Sequence, residues 1–239
     1  MVAALFEVHG RGFLFDVQWS NVRYCLGCTD MLSADALSFQ EFMNREVLPL
    51  ATLHGALLEM LQGRYDVVLF GAQAVNAYVG EPRMTQDIDV IAIDAAGLAE
   101  ELKAFLSDRF FIAVRVRVVK GGLGYRLYQA QKGGNRHLMD IRQADVLPES
   151  QEIEGIRVMA PIDLVASKVV AFYRRRGKPK AGTDWRDLAM LLLRFPELKV
   201  ESGAVWGRLV EMGVDEGVFG LWREVVGTAI EGEDDDEDF

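Results

Sequence analysis

The sequence predicts an α+β fold, in which helices flank the short strands of a sheet and the C-terminal part is helical. Residues 67–70 and 87–93 are apolar runs of strand length, separated by a turn and a short helical stretch. Residues 33–63 instead place apolar side chains at helical spacing, and helical patterns return after Pro161. A chain of 239 residues, 50% of them hydrophobic, is long enough to bury a sizeable core.

The formal net charge of −10 is concentrated at the C-terminus. Residues 231–238 include seven acidic residues, so the rest of the chain carries only −3. Neither value predicts general nucleic-acid binding, and any RNA contact must come from a local patch. We expect an N-terminal extension over residues 1–30, a core over residues 31–160, a helical part over residues 161–230 and a disordered acidic tail over residues 231–239.

The cysteines and the apolar runs favour a protein of the cytoplasm. Cys25 and Cys28 form a single Cys-x-x-Cys pair, and no second Cys or His pair follows at metal spacing. We therefore expect no metal or redox role for them. No signal peptide is visible, and the longest uncharged run, residues 67–80, is shorter than the roughly 20 residues that a membrane span needs.

The stretch between the first two strands carries the clearest chemical signal. Gly71 follows the first strand, where a glycine permits a tight turn whose amides approach a phosphate closely. Asp87 and Asp89 lie two residues apart at the second strand, so both side chains point to one face. Two such carboxylates repel each other unless a cation lies between them. Mg²⁺ is the expected cation, because it is usually held by one or two carboxylates plus substrate phosphates.

Asp140 and Lys168 are two further candidates. Asp140 lies inside the short apolar strand 137–141, where a lone Asp is usually structural. With an acidic pair on another strand, a third metal ligand or a general base is a competing interpretation. Lys168 lies on or beside the apolar stripe of the helix predicted over residues 162–176. It is either a surface lysine that snorkels to water or a lysine directed at a phosphate.

Two basic segments are candidates for contact with a polyanion. Arg115 and Arg117 alternate with valines in a strand predicted over residues 110–119, which gives that strand one buried face and one basic face. The most basic segment is residues 174–180. Cations at a helix C-terminus are favourable without any partner, so contact with a polynucleotide or a triphosphate is the alternative interpretation there.

The C-terminal part reads as a series of helices. Thr183 is a candidate N-cap, with Asp184 and Asp187 in the first turn that follows it. Residues 205–212 and 218–230 predict two more helices, whose tryptophans we expect in the core.

The order and spacing of five segments resemble the AbiEii-like (MenT-like) nucleotidyltransferase toxins of type IV toxin–antitoxin systems, within the polymerase-β-type nucleotidyltransferase superfamily. The resemblance covers about residues 64–195. Its segments are GAQA at 71–74, RMTQDID at 83–89, Asp140, APIDLVASK at 160–168 and DWRDL at 184–188. The family usually shows two glycines where this chain has Gly71 and Ala72. The resemblance implies a polymerase-β-like nucleotidyltransferase fold, a mixed sheet flanked by helices.

The same resemblance implies transfer of NMP from a nucleoside triphosphate to an acceptor hydroxyl, with Mg²⁺ or Mn²⁺; in some members the acceptor is tRNA. Asp87, Asp89 and Asp140 would hold the metal, and Asp140 would complete the site or deprotonate the acceptor. Lys168 would neutralise phosphate charge. The residues implied in nucleotide binding are Gly71, Ala72, Gln73, Thr85, Lys168, Asp184 and Asp187.

Three functions stay open on the sequence. The first is a nucleotidyltransferase acting on an RNA end or, alternatively, on a protein hydroxyl, as the toxin of a pair with a cognate antitoxin; the basic segments favour the RNA end. The second is a small-molecule nucleotidyltransferase of the antibiotic-modifying kind, which the mildly acidic body would suit. The third is a non-catalytic nucleotide-binding module.

Overall fold

A computed structural model describes residues 48–232 of the chain. The extension expected over residues 1–30, the two cysteines, the helix predicted from Ser33 and most of the acidic tail lie outside the described residues. Among the described helices, none combines the length and the apolar character needed to cross a membrane.

The described residues form a seven-stranded mixed sheet with the strand order β3-β4-β5-β2-β1-β7-β6. Strand β2 pairs antiparallel with β1 and parallel with β5, and β1 pairs parallel with β7. This confirms the predicted α+β fold with its mixed sheet. The strands are β1 (Val67–Phe70), β2 (Ile88–Ala92), β3 (Val114–Val119), β4 (Gly124–Gln131), β5 (Gly134–Gln143), β6 (Ser150–Ile153) and β7 (Ile156–Met159).

Helices flank this sheet and form the C-terminal part. Within residues 48–232 they are α1 (Leu50–Leu61), α2 (Gly71–Asn76), α3 (Ala95–Phe110), α4 (Pro161–Arg174), α5 (Lys180–Arg194), α6 (Ala204–Glu211) and α7 (Glu216–Gly227). Helix α2 contacts β1 and β2, and α4 contacts α2, α5, α6 and α7. Helix α4 therefore joins the C-terminal helices to the helix that follows the first strand.

Helix α3 covers the apolar face of the sheet. Leu98, Leu102 and Leu106 recur every four residues, which places them on one side of the helix, and all three are buried. The helix contacts β2, β3, β4 and β5, whose buried side chains include Val90 and Leu127. Sheet and helix thus share one hydrophobic core, and the other face of β3 and β4 is left to polar residues.

Two sequence predictions about element limits are wrong, and one strand was not predicted at all. Strand β3 begins at Val114, because α3 continues to Phe110 and Phe111 takes a left-handed conformation with φ 53°. Helix α5 begins at Lys180, so Thr183 is not its N-cap; its hydroxyl donates to the Lys180 carbonyl inside the first turn. Strand β6 was not predicted, because its side chains are mostly polar.

The tryptophans of the last two helices follow the prediction. Trp222 is fully buried, and its indole N–H donates to the carbonyl of Glu201 at 3.2 Å. Trp206 is half-buried and packs on Phe219, with ring centroids 4.5 Å apart. Both rings stabilise the C-terminal helices as core residues.

Candidate active site

Strand pairing brings together the carboxylates that the sequence singles out. Asp89 lies opposite Phe70 of β1 on one side and opposite Asp140 of β5 on the other. Directly paired residues of neighbouring strands point to the same face of a sheet, so Asp89 and Asp140 share a face. Asp87 immediately precedes β2, and the hydroxyl of Thr85 donates to its carbonyl at 3.0 Å.

Gly71 stands against this acidic cluster, where β1 turns into α2. Its φ of +76° lies in the left-handed region, which glycine adopts without steric cost. A Cβ at this position would lie 2.3 Å from Asp89 Oδ2 and 2.9 Å from Asp89 Cγ. Backbone and carboxylate therefore approach each other more closely than any other residue would permit. Ala72 and Gln73 follow in the short helix, and Gln73 is buried.

His137 connects two of the acids, and sequence reasoning missed it. Its Nδ1 lies 3.3 Å from Asp87 Oδ2, and its Nε2 lies 3.1 Å from Asp140 Oδ1. Two residues three apart on a regular strand point to opposite faces. The pairing of β4 with β5 shifts here: Leu127 pairs with Met139, but Tyr128 pairs with His137. This bulge turns His137 to the face of Asp140, and no local sequence signal marks it.

The charges of this cluster shift one another. Hydrogen bonds to Asp140 and Asp87 raise the pKa of His137 to about 10, so the imidazole is a cation at neutral pH. The hydrogen bond from His137 in turn holds the pKa of Asp87 below its usual value. Burial and the charges of Asp87 and Asp140 raise the pKa of Asp89 to about 6, although Arg142 opposes the rise.

The carboxylates of this cluster are oxygen donors of the kind that could hold a divalent cation. Ligand atoms of Asp87, His137 and Asp140 all lie within 4.8 Å of one another. Burial first, and the charges of Asp87 and Asp140 second, raise the pKa of Asp89, so the negative charge of its carboxylate is disfavoured without a cation nearby. A carboxylate set of this kind fits a hard cation such as Mg²⁺ or Mn²⁺.

Two side chains of β4 extend the site toward the edge of the sheet. Arg126 Nε lies 2.8 Å from Asp140 Oδ1 in an ion pair. Tyr128 stacks on His137, with ring centroids 5.0 Å apart and an angle of 30° between the ring planes. Neither residue is recognisable from the sequence as part of the site, because their place depends on the pairing of β4 with β5.

Lys168 is buried, so its interpretation as a snorkelling surface lysine is wrong. Its Nζ donates to Asp187 Oδ2 at 2.6 Å, and the residue is only 7% exposed. Arg83 completes the group with two hydrogen bonds to the same carboxylate, at 2.6 and 2.8 Å. Burial alone would raise the pKa of Asp187, but the hydrogen bonds from Arg83 and Lys168 hold it below its usual value.

The Arg83–Asp187–Lys168 group fixes the loop that leads to the acids. Asn76 of α2 accepts a hydrogen bond from the backbone N–H of Arg83 and donates one to its carbonyl. The loop is therefore held to α2 through its backbone and to α5 through its guanidinium. Lys168 also influences the acids directly, because its charge opposes the rise in the pKa of Asp89.

Part of the basic segment 174–180 also has structural partners. Arg175 donates to both carboxylate oxygens of Asp184 at 3.0 and 2.8 Å, and Arg176 donates to Glu224 at 2.7 Å. Asp184 is buried, so its carboxylate faces Arg175 rather than solvent. Lys180 lies closer to the acids, since its charge helps to lower the pKa of Asp87.

The seven-stranded mixed sheet with its flanking helices has the polymerase-β-like nucleotidyltransferase fold. Residues 56–205 match the family of nucleotidyl transferase AbiEii toxins of type IV toxin–antitoxin systems. This match spans more than half of the chain, and the chain belongs to the family. It is therefore a nucleotidyltransferase, which sets aside a non-catalytic module. No curated protein sequence matches the chain.

Solved structures resemble the chain in fold. The Megavirus polyadenylate synthase does so with a TM-score of 0.50 and 11% identity, over 70% of this chain and 34% of that one. This chain thus spans about a third of the length of that enzyme. JHP933 from Helicobacter pylori has a TM-score of 0.47 and 16% identity, over 80% and 92% of the two chains. The antibiotic-resistance factor ANT(2″)-Ia has a TM-score of 0.38 and 14% identity, over 67% and 92%.

Proposed function

We propose that the chain transfers NMP from a nucleoside triphosphate to a hydroxyl at an RNA end, with Mg²⁺ or Mn²⁺. The observation that carries this proposal is the contact between Gly71 and Asp89. The turn at Gly71 is proposed to bind phosphate, and the carboxylate of Asp89 is proposed to bind the cation. The two groups are so close that a Cβ at position 71 would collide with the carboxylate. A metal–triphosphate substrate is held both by backbone groups that contact its phosphates and by carboxylates that hold the metal.

The nucleotide's phosphates are proposed to meet the turn at Gly71, Ala72 and Gln73. Backbone amides at such a turn satisfy phosphate oxygens without adding charge. Lys168 is proposed to supply positive charge near the acids, since its charge acts on Asp89, and it is held in place by Asp187. Asp184 and Asp187 are proposed to act through the cations they bind, because both carboxylates are buried in ion pairs.

Asp87, Asp89 and Asp140 are proposed to hold the metal. When bound, the ion neutralises charge on the phosphates and steadies the attacking and leaving oxygens. His137 now occupies the space between Asp87 and Asp140 as a cation. Its imidazole must lose its proton or rotate away before the acids are free to bind another cation. Without a bound metal, the positive charge of His137 therefore offsets the negative charge of Asp87 and Asp140.

The transfer forms one bond and breaks one. The acceptor hydroxyl oxygen forms a bond to the α-phosphorus while the bond from that phosphorus to the bridging oxygen of the β-phosphate breaks. Pyrophosphate leaves with the electron pair of that bond. Asp140 is proposed to take the hydroxyl proton, because it is the acid beside the open strands β4 and β5.

An RNA acceptor is favoured by the arginines that adjoin the acids on the sheet, Arg126 first among them. Triphosphates and RNA meet in the cytoplasm, where we expect the protein to act. Membership of a type IV toxin–antitoxin family implies a cognate antitoxin as a further partner.

Incubation with each α-labelled NTP, Mg²⁺ and total RNA tests the proposal. Transfer of label to RNA is expected for the unmodified chain, and none for Asp89→Asn or after chelation of the metal. Label that appears only when an aminoglycoside is added would favour a small-molecule acceptor instead. RNA labelling that Asp89→Asn leaves intact would overturn the assignment of the acids.

A further inference from the structure

A row of charged side chains crosses the sheet from its edge to the acids. The register pairs Arg117 of β3 with Arg126 of β4, Arg126 with Asp140 of β5, and Asp140 with Asp89 of β2. Directly paired residues point to one face, so the four side chains stand in line. Neighbouring strands lie about 4.8 Å apart, which places Arg117 about 10 Å from Asp140.

A second row runs beside the first and contains two rings. Arg115 pairs with Tyr128, and Tyr128 pairs with His137, on which it stacks. Arg115 and Arg117 are two residues apart on β3, a spacing of about 7 Å along a strand. Three arginines and an aromatic pair thus share one face and adjoin Asp140.

This face is open. Arg115 and Arg117 are exposed, and neither forms an ion pair within residues 48–232. Arg126 has Asp140 as its partner and keeps 43% of its side chain exposed. The opposite face of these strands, which carries Leu127, packs against α3. Two uncompensated cations on an edge strand therefore face solvent beside the acids.

We propose that this face of β3 and β4 binds the single-stranded end of the RNA acceptor. The phosphates of the strand lie along Arg115, Arg117 and Arg126, and an unpaired base stacks on Tyr128. The terminal hydroxyl then reaches Asp140 from the open side of the sheet. This inference rests on the proposed function and assigns the acceptor's path within it.

Tyr128 indicates which class of polyanion this face of β3 and β4 should prefer. A basic surface alone would accept any anionic chain, an acidic peptide included. A ring that adjoins the arginines adds affinity for unpaired bases, since every base has a face that stacks on an aromatic side chain. Bases inside a duplex are not free to stack in this way. We therefore expect single-stranded RNA to bind better than either a duplex or an acidic peptide.

The loop at residues 174–180 is the other basic surface, and its contacts make it a poorer acceptor site. Arg175 and Arg176 are both engaged by carboxylates. Lys180 begins α5, which packs against α4 and α2. We assign the acceptor to the strands rather than to this loop.

The first test measures binding of a 5′-labelled single-stranded RNA to the full chain by fluorescence anisotropy, over a range of salt concentrations. Arg115→Ala/Arg117→Ala should weaken binding on the order of tenfold. It should also lower the slope of log K against log[salt] by about 1.4, two contacts at about 0.7 each. The charge-matched control is Lys103→Ala/Arg109→Ala on α3, which covers the opposite face. It should leave both quantities near those of the unmodified chain.

The second test concerns the ring. Tyr128→Ala should weaken binding of the single strand by at least about fivefold, whereas Tyr128→Phe keeps the stacking surface and should not. A duplex of the same sequence should be insensitive to both changes. Equal losses for the two charge variants, tighter binding of poly-glutamate than of RNA, or no effect of Tyr128→Ala would each overturn the assignment.

Labelling separates failure of this inference from failure of the proposed function. If the unmodified chain transfers no label to RNA, the proposed function fails. If it labels RNA and Arg115→Ala/Arg117→Ala does so with an unchanged KM for RNA, only the acceptor path fails. The expected result is a raised KM for RNA with unchanged binding of the NTP, because the two arginines lie on the edge strand away from the Gly71 turn.

Discussion

Two constraints require a glycine at position 71. Its backbone is in the left-handed region, and the carboxylate of Asp89 occupies the space that a Cβ would need. We predict that Gly71→Ala lowers the free energy of unfolding and reduces transfer at least about 100-fold, because a displacement of Asp89 by about 1 Å suffices for such a loss. The matched control is Gly63→Ala. Gly63 has nearly the same φ, +71°, but a Cβ there meets nothing within 4 Å.

Both alanines carry the cost of a left-handed residue, about 1–2 kcal/mol. Thermal unfolding and label transfer should therefore separate them: similar strain in both, but loss of activity only at Gly71. Activity of Gly71→Ala equal to that of Gly63→Ala would show that the contact with Asp89 has no part in transfer.

Asp89 gives the metal-free fold a pH dependence with a defined sign. Its pKa rises from 3.8 to about 6 in the folded chain, through burial and the charges of Asp87 and Asp140, against the opposing charges of Arg142 and Lys168. The folded state therefore binds this proton more tightly than the unfolded state does. The stabilisation is complete below pH 3.8 and is lost as the pH rises through about 6, to a total of about 2–3 kcal/mol.

Asp89→Asn should remove the loss of stability that accompanies ionisation of Asp89, because an amide does not ionise. With the metal chelated, we predict a higher melting temperature than that of the unmodified chain at pH 7.5, and no such advantage at pH 4. Calorimetry at the two pH values is the measurement, and Asp108→Asn, at an exposed position on α3, is the control. A melting temperature of Asp89→Asn below that of the unmodified chain at pH 7.5 would contradict the raised pKa.

At the scale of elements, one buried carboxylate links α4, α5 and the loop before β2. Asp187 is 0% exposed and compensates both Lys168 and Arg83. We predict that Asp187→Ala lowers the free energy of unfolding by about 3–5 kcal/mol, because it leaves the buried Lys168 and the half-buried Arg83 without their carboxylate. Urea denaturation checks this against Glu224→Ala, which breaks the exposed pair with Arg176 and should cost at most about 1 kcal/mol. Similar losses for the two variants would show that the buried group contributes no more than a surface pair.

Local patterns predicted elements well and their ends less well. The apolar run of β1 and the helical pattern after Pro161 are local signals, and both elements formed where they indicated. Thr183 looked like a cap, but the helix had already begun, since proline is tolerated at a helix start and Pro179 stands there. The burial of Lys168 depends on Asp187, 19 residues further along, and no helical period reveals such a partner.

The same limit applies to the candidate site. Asp87, Asp89 and Asp140 were recognisable because acids inside apolar strands are unusual. Their compensation by His137 depends on a bulge between β4 and β5, which only the paired strands reveal. The line from Arg117 to Asp140 likewise depends on non-local register.

At the scale of the whole molecule, the sheet and the C-terminal helices are coupled rather than independent. Helix α4 contacts α2 beside the acids and also α6 and α7. Asp163 of α4 accepts a hydrogen bond from Arg208 of α6, while Asp187 of α5 accepts one from Arg83 of the loop before β2. The boundary expected at residue 160 thus separates two kinds of structure, and we predict that both unfold together.

The tryptophans offer a probe of that prediction. Trp185, Trp206 and Trp222 all lie in the C-terminal helices, so a Trp19→Phe background confines the fluorescence to that part. Circular dichroism reports helices throughout the chain. Under urea the two signals should change at the same concentration, since coincident transitions are the mark of a cooperative unit.

Mg²⁺ with a non-hydrolysable NTP should move both midpoints upward together, because the nucleotide binds at the sheet and stabilises whatever unfolds with it. If the nucleotide raises the urea midpoint measured by ellipticity but leaves the midpoint measured by fluorescence unchanged, the helical part unfolds on its own.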